Sequence, residues 1–289
     1  MARPLRIEYC GALYHVTSRG NERKPIFWEN KDREVFLDIL TKVNEKYNWL
    51  CHAYCLMNNH YHIIIETPEG NLSKGIRQLN GVYTQILNKK YQRVGHIFQG
   101  RYNAILIQKE NHLLEVSRYV VLNPVRANLA EKPEEWKWSS YRATVGIENS
   151  HPCHTIDWIL VQFGTNKMVA GQRYKEFVRA GIGGESIWNK VSGQILFGDD
   201  YFIEKFTNYL KRKEDIKEVP RSQRYVNRPG LDWLLNADVL KDKQTRNMKI
   251  IEAVMRYGFS QKEVAEYLKM HYSTISRLMK EDEMSKIKT

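Results

Sequence analysis

An α+β fold built on a ferredoxin-like antiparallel sheet, with helices on one face, is what the first half of this 289-residue sequence predicts. Three observations carry that expectation. Stretches rich in β-branched and aromatic residues alternate with stretches of helical periodicity in the order β-α-β-β-α-β-α, and the first six of these make the split βαβ pattern. The pair Asn58-Asn59 gives the second and third strands a tight turn between them. A sheet of this kind carries its helices on one side and leaves the other face free for a ligand or partner.

The elements follow in order. Residues 10–19, "CGALYHVTSR", mix β-branched and aromatic side chains and read as a strand, and "GNERKP" follows as a turn. Residues 31–47 place Val35, Phe36, Ile39, Leu40 and Val43 at helical spacing. Strands are predicted at 49–57 and 60–66. A helix over 72–90 carries Ile76, Leu79, Val82, Tyr83, Ile86 and Leu87 on its apolar face. "RVGHIFQGR" reads as a loop, 102–108 as a fourth strand, and 110–123 as a helix that Pro124 should end. "EKPEEWKWSSY" (131–141) looks like a segment whose tryptophans pack on the domain. Signals over 147–170 are weak, residues 172–240 read as helix in pieces, and the Pro/Arg-rich 219–230 reads as an exposed linker. The last stretch reads helix, turn, helix, turn, helix, with capping-box spacing at Ser260 and Glu263. That is a helix-turn-helix arrangement. The expected division is therefore 1–146, a helical connecting region 147–240, and a helix-turn-helix unit 241–289.

Composition narrows the class. Forty-five Lys and Arg against 33 Asp and Glu give a formal net charge of +12, which attracts phosphate polyanions by counterion release. No apolar run approaches the roughly 18–20 residues of a membrane span, so no membrane partner is expected. The first residues contain no continuous apolar stretch of the export-signal kind. Cys10, Cys51, Cys55 and Cys153 are accordingly expected as reduced thiols, and the chain as cytoplasmic.

Two stretches could carry chemistry. In "MNNHYHIII" the strand period puts His60 and His62 on one face, about 7 Å apart along the chain. Two neutral imidazoles so placed can converge on one divalent ion. A zinc set with Cys51 and Cys55 stays open, because the turn at Asn58-Asn59 decides which face the cysteines share. In "SRYVVLNPVRANL", Tyr119 and Asn123 are four apart and share a helix face. Together the residues suggest a metal on His60, His62 and the Asn123 side-chain oxygen, with Tyr119 attacking a phosphodiester as nucleophile.

"YHVTSRGN", "MNNHYHIII", "IFQGRY" and "YVVLNPVRANL", in this order, resemble the single-tyrosine HUH transposases of the IS200/IS605 kind, closest to the REP-associated tyrosine transposase branch. The resemblance covers about residues 1–145. It implies a nuclease domain that nicks and rejoins single-stranded DNA at hairpin-flanked sites with Mg²⁺ or Mn²⁺, through a 5′-phosphotyrosine and a free 3′-OH. His60-Tyr61-His62 match the HUH pair, Tyr119 the nucleophile, and Asn123 an amide-type third ligand. The middle position is usually apolar and is Tyr61 here; strand alternation should turn it to the opposite face. Arg19, Asn21, Arg101 and Arg126 are expected along the DNA path. The C-terminal unit is an addition to the minimal family pattern, and its turn "LKMHYS" lacks the usual glycine. Its third helix is expected to turn Ser273, Thr274 and Arg277 outward and to read duplex DNA flanking the hairpin. Competing readings are a DNA-binding regulator without chemistry, and an RNA-binding protein or ribonuclease on the same fold.

Overall fold

The structure, a computed structural model, describes residues 7–193, 195–211 and 229–287. The strands are β1 (Ala12–Arg19), β2 (Leu50–Leu56), β3 (His60–Thr67), β4 (Asn103–Ile107) and β5 (Leu196–Phe197). The main helices are α1 (Asn30–Tyr47), α2 (Leu72–Lys90) and α3 (Lys109–Val121). The sheet order is β2-β3-β1-β4-β5. The first four strands pair antiparallel in the ferredoxin-like order, and β5 adds to β4 in parallel, which makes the sheet mixed. The sequence carries no strand signal for this two-residue edge.

Helices lie on both faces, not one. Phe36 of α1 and Tyr83 of α2 meet Tyr61 of β3 and Phe98 through ring contacts of 4.8–6.2 Å. Alternation sends Ile64 to the other face, where it packs with Leu13, Ile105 and Ile107 against Leu113, Val116 and Val120 of α3. The physical reason is in α3 itself: its apolar side chains have no place in the α1–α2 layer, so it covers the face that the expected topology left open. Pro124 does not end helical structure outright. α3 stops at Val121, and Pro124 sits in the first turn of a short helix, Asn123–Arg126, where its missing N–H costs nothing.

The termini of α1 show how the sequence sets its ends. Glu29 and Asp32 form a reciprocal cap, with Asp32 Oδ2 accepting from the backbone N–H of Trp28 and Glu29 at 2.8 and 3.1 Å. At the far end Asn48 takes a left-handed conformation, φ 52°.

The expected boundary at 146 lies inside a compact unit that spans residues 6–191 and 195–202. Helices Asp157–Val161 and Lys167–Arg179 bury Ile159, Leu160, Ala170, Tyr174 and Val178 against Val121, Leu122 and Tyr141. Ser117 and Tyr174 hydroxyls bond at 2.9 Å in the same layer. The tryptophan segment runs beside β2, where Leu56 N–H donates to the Trp138 carbonyl at 2.8 Å and Trp136 Nε1 donates to the Leu56 carbonyl at 3.2 Å.

The second unit is described by itself. Helices Lys243–Met255, Gln261–Tyr267 and Tyr272–Ile287 close around Ile250, Val254, Phe259, Val264 and Ile275. Leu234 and Leu235 belong to the same core, so the expected boundary at 241 cuts through it. The Ser260–Glu263 capping box is formed in both directions. Lys269 takes the left-handed conformation, φ 53°, in the turn that lacks glycine. The expected linker 219–230 lies, up to residue 228, outside the described residues. No described helix is long and apolar enough to cross a membrane.

One buried ionic cluster pins α3 to the sheet. A bulge at Cys51/Ala53 inserts His52 into β2, and its Nε2 meets Glu66 Oε2 at 2.8 Å. Lys109, the first residue of α3, donates to Glu66 Oε1 at 2.7 Å. Burial by itself would raise the pKa of Glu66; the bonds from His52 and Lys109 outweigh it, and the carboxyl is held below its ordinary value. This stabilisation is present above the unfolded carboxyl pKa of about 4.3 and is lost as pH falls through the lowered folded value. Glu66→Ala is expected to cost about 3 kcal/mol, because the buried His52 and the partly buried Lys109 lose their acceptor. Urea unfolding at neutral pH measures it, and a loss below about 1 kcal/mol would make the cluster equivalent to a surface bridge.

Candidate active site

The two histidines start β3, directly after the β2–β3 turn. Three isoleucines, Ile63–Ile65, drive the strand, since β-branched side chains favour the pleated, buried surface. His60 pairs with Arg19 and His62 with Thr17 across β1, so both rings lie on the α3 face of the sheet. Their centroids are 4.9 Å apart at 73°. His62 is buried and His60 partly so.

Each ring has one nitrogen occupied within the protein. His60 Nδ1 meets Asn59 Oδ1 at 2.7 Å, and since that oxygen can only accept, the imidazole donates and its Nε2 carries the lone pair. His62 Nδ1 meets His15 Nε2 at 2.9 Å. His62 Nε2 is buried and has no hydrogen-bond partner among the described residues. Burial lowers the His60 pKa to about 4, with the Arg19 charge adding to the effect. Burial also puts His62 well below the ordinary value, with His15, His60 and Arg19 contributing in the same direction. Both rings are therefore neutral at physiological pH, the state in which imidazole binds a metal. An orphaned inner nitrogen beside a second free lone pair fits a divalent cation. Among the described residues, no group of three or more His, Cys, Asp or Glu could hold a metal, so any ligand beyond the two histidines would be of another type.

The cysteines do not join them. The bulge in β2 puts Cys51 opposite Ile65 and Cys55 opposite His62, which sends the two thiols to opposite faces. Burial raises both thiol pKa values, and Cys55 belongs to the apolar core. The zinc set is thereby removed.

Tyr119 lies in the last turns of α3, half-buried, and its hydroxyl makes no hydrogen bond among the described residues. Its ring is edge-on to Trp188 at 4.9 Å, and the Arg126 guanidinium sits over it at 4.6 Å. A cavity of about 210 Å³ opens beside it, lined by Glu115, Arg118, Arg126 and the 180–187 segment. Asn123 lies one turn beyond Tyr119, where Nδ2 donates to the carbonyls of Tyr119 and Val120 at 3.1 and 3.2 Å, and Oδ1 stays available. Among the described residues, no hydrogen bond joins Asn123 or Tyr119 to either histidine. Instead Trp188 stands between, stacked on His15 at 4.7 Å.

Two other tyrosines near the sheet, Tyr61 and Tyr102, are buried. Tyr61 is fully buried on the α1–α2 face, with its hydroxyl donating to Asn80 Oδ1 at 2.9 Å. Tyr102 is buried and bonds to Ser73.

Arg19 is exposed beside His60. The loops after β1 and before β4 join at the same end of the sheet: Gln99 N–H donates to the Arg19 carbonyl and Asn21 N–H to the Ile97 carbonyl, both at 2.8 Å, while Gly20 N–H reaches the Asn59 carbonyl. Gly20 is required by close approach, since a Cβ there would lie 2.1 Å from the Lys24 carbonyl oxygen. Asn21 and Arg101 are exposed in these loops. Ser273, Thr274 and Arg277 are exposed on the last helix of the second unit, while Ile275 is buried.

Two residues at this site escaped the sequence reading. His15 shares the face of Thr17 and Arg19 by alternation, a signal the strand contained. Trp188 comes from some seventy residues beyond Tyr119 in the chain, and nothing local marks it.

Residues 9–123 match the family model described as transposase, IS200 like. A curated protein of Haemophilus influenzae described as a REP-associated tyrosine transposase is 25% identical over 157 residues, covering 48% of this chain and 84% of that protein. A solved structure of a REP-associated tyrosine transposase bound to a REP hairpin aligns with a TM-score of 0.45 at 19% identity, covering 55% of this chain and 91% of that one. The segment that builds the sheet, its histidine strand and its tyrosine helix, residues 9–123, is thus the part of the chain that matches the IS200-like transposase model, and the chain is similar to a REP-associated tyrosine transposase.

Proposed function

We propose that the protein nicks and rejoins single-stranded DNA at hairpin-flanked sites through a covalent tyrosine intermediate. The observation that carries this reading is the shared face: two neutral histidines, His62 with its Nε2 unpartnered among the described residues, lie on the side of the sheet that α3, with Tyr119, covers. His60 and His62, with the Asn123 Oδ1, would hold Mg²⁺ or Mn²⁺. When bound, the metal supplies positive charge to the non-bridging oxygens of the scissile phosphodiester.

The protein's own residues do the rest. The Tyr119 oxygen forms a bond to phosphorus as the bond to the 3′ oxygen breaks, and its phenolic proton leaves to solvent or the departing oxygen. The products are a 5′-phosphotyrosine and a free 3′-OH, so the bond energy is conserved for rejoining. Arg126 over the Tyr119 ring and Arg19 beside His60 supply cationic charge on the two sides of the site; with Asn21 and Arg101 they line the DNA path. The second unit, with Ser273, Thr274 and Arg277 outward, would read the major groove of flanking duplex as a helix-turn-helix.

Tyr119→Phe removes only a hydroxyl that makes no internal hydrogen bond, so folding should be unchanged and cleavage abolished. Incubation with a labelled hairpin and Mn²⁺ should give a denaturation-resistant adduct with the wild type and none with the variant. A persistent adduct would transfer the role to another tyrosine; no adduct with the wild type would favour a binding protein without chemistry.

His60→Ala and His62→Ala should each stop cleavage and weaken Mn²⁺ binding at least tenfold by titration calorimetry, while hairpin affinity stays within a few-fold, because phosphate contacts supply most of it. Undiminished cleavage in excess chelator would sink the metal reading.

Arg277→Ala should lower affinity for a substrate with long flanking duplex by about tenfold, the scale of one bidentate guanine contact. Cleavage of a short hairpin should be unaffected. Equal affinity of variant and wild type for the long substrate would mean that this unit does not read DNA.

A further inference from the structure

We propose that His15 is a positioning residue for the metal site: its Nε2 accepts the Nδ1–H of His62, which fixes that ring with its Nε2 lone pair facing the space beside His60. The proposal rests on the metal reading above and names a residue that reading does not use.

The geometry is direct. His15 Nε2 and His62 Nδ1 are 2.9 Å apart and the two rings are parallel within 6°. One proton lies between them, and the two ways of placing it differ in which outer nitrogen, His15 Nδ1 or His62 Nε2, is left as a buried N–H without a partner among the described residues. If His15 donates, His62 carries its proton on Nε2, and a buried N–H without a partner points where a cation would sit. If His62 donates, its Nε2 presents a lone pair instead, and only then can it be a ligand. A ligating histidine is oriented by what its other nitrogen bonds, and a neutral imidazole can play that part as well as a carboxylate or carbonyl. His60 is held the same way by Asn59 Oδ1 at 2.7 Å, so both candidate ligands have an acceptor behind them.

His15 is in turn immobilised. It is 3% exposed in the middle of β1, and the Trp188 indole lies flat on it at 4.7 Å with 11° between planes. The imidazole can neither flip nor tilt without displacing that ring. Trp188 also meets Tyr119, so the residue that clamps His15 touches the nucleophile.

The test uses the full chain and two independent readouts. Nitrogen NMR of the metal-free wild type should show the shared proton bonded to His62 Nδ1, with His62 Nε2 bare; a proton resident on His15 Nε2 would overturn the proposal. Mn²⁺ titration should then separate two replacements. His15→Phe keeps a ring against Trp188 but offers no acceptor, and should lower Mn²⁺ affinity 10–100-fold. His15→Gln can place a carbonyl oxygen near the position of Nε2 and should retain most of the affinity. Equal Mn²⁺ affinity for His15→Phe and wild type, or equal loss for both variants, would overturn it. The proton position needs no metal, so it decides the role of His15 even if the wild type binds no Mn²⁺; that failure would count against the metal chemistry alone.

Discussion

The two-residue alternation of β3 is the constraint from which most of this structure follows. β3 is paired on both edges, with β1 and β2, so its backbone cannot rotate and each side chain is committed to one face. Tyr61, Ile63 and Ile65 go to the layer made by α1 and α2. His60, His62, Ile64 and Glu66 go to the other, where α3 packs. The same alternation that builds two hydrophobic layers thus delivers two histidines and a carboxylate to the face with the tyrosine helix. A slip of one residue would exchange the sets and put Tyr61 where the metal is proposed to bind.

α3 is held on that face at three levels. Leu113, Val116 and Val120 supply apolar burial. Lys109 ties its first residue to Glu66, and Ser117 ties its middle to Tyr174 of the following layer. Glu66 sits two alternate positions along β3 from His62, so one strand carries both the anchor of the helix and the candidate ligands. The position of Tyr119 is therefore set by packing along the whole of α3 and not by any bond to its own hydroxyl.

The site combines buried, neutral histidines with exposed cations at its rim. Burial removes the proton from His60, His62 and His15. A buried imidazole with an unpartnered nitrogen is costly, and persists only where something else satisfies it. Arg19 and Arg126, by contrast, are exposed near the histidines and the tyrosine, where water and a phosphate backbone can both reach them. The arrangement suits a polyanion that brings its phosphate to a dry centre through a wet, cationic border.

The sequence by itself determined the elements and their order. Helical and strand periodicities placed α1, α2, α3 and β1–β4 within one or two residues of their observed ends, because each element's apolar pattern is local. Alternation put Tyr61 opposite its histidine neighbours, and four-residue spacing put Tyr119 and Asn123 at one end of α3. Tertiary structure alone decided what covers the second face of the sheet, and why the 146 boundary dissolves: residues 157–178 find their apolar partners on Val121, Leu122 and Tyr141, and no local pattern records where a partner lies. It also decided the fate of the cysteines, through a bulge that one extra residue in β2 creates, and the place of Trp188, which reaches His15 across more than 170 residues of chain. Periodicity reports which way a side chain faces; only the packed chain decides what it meets there.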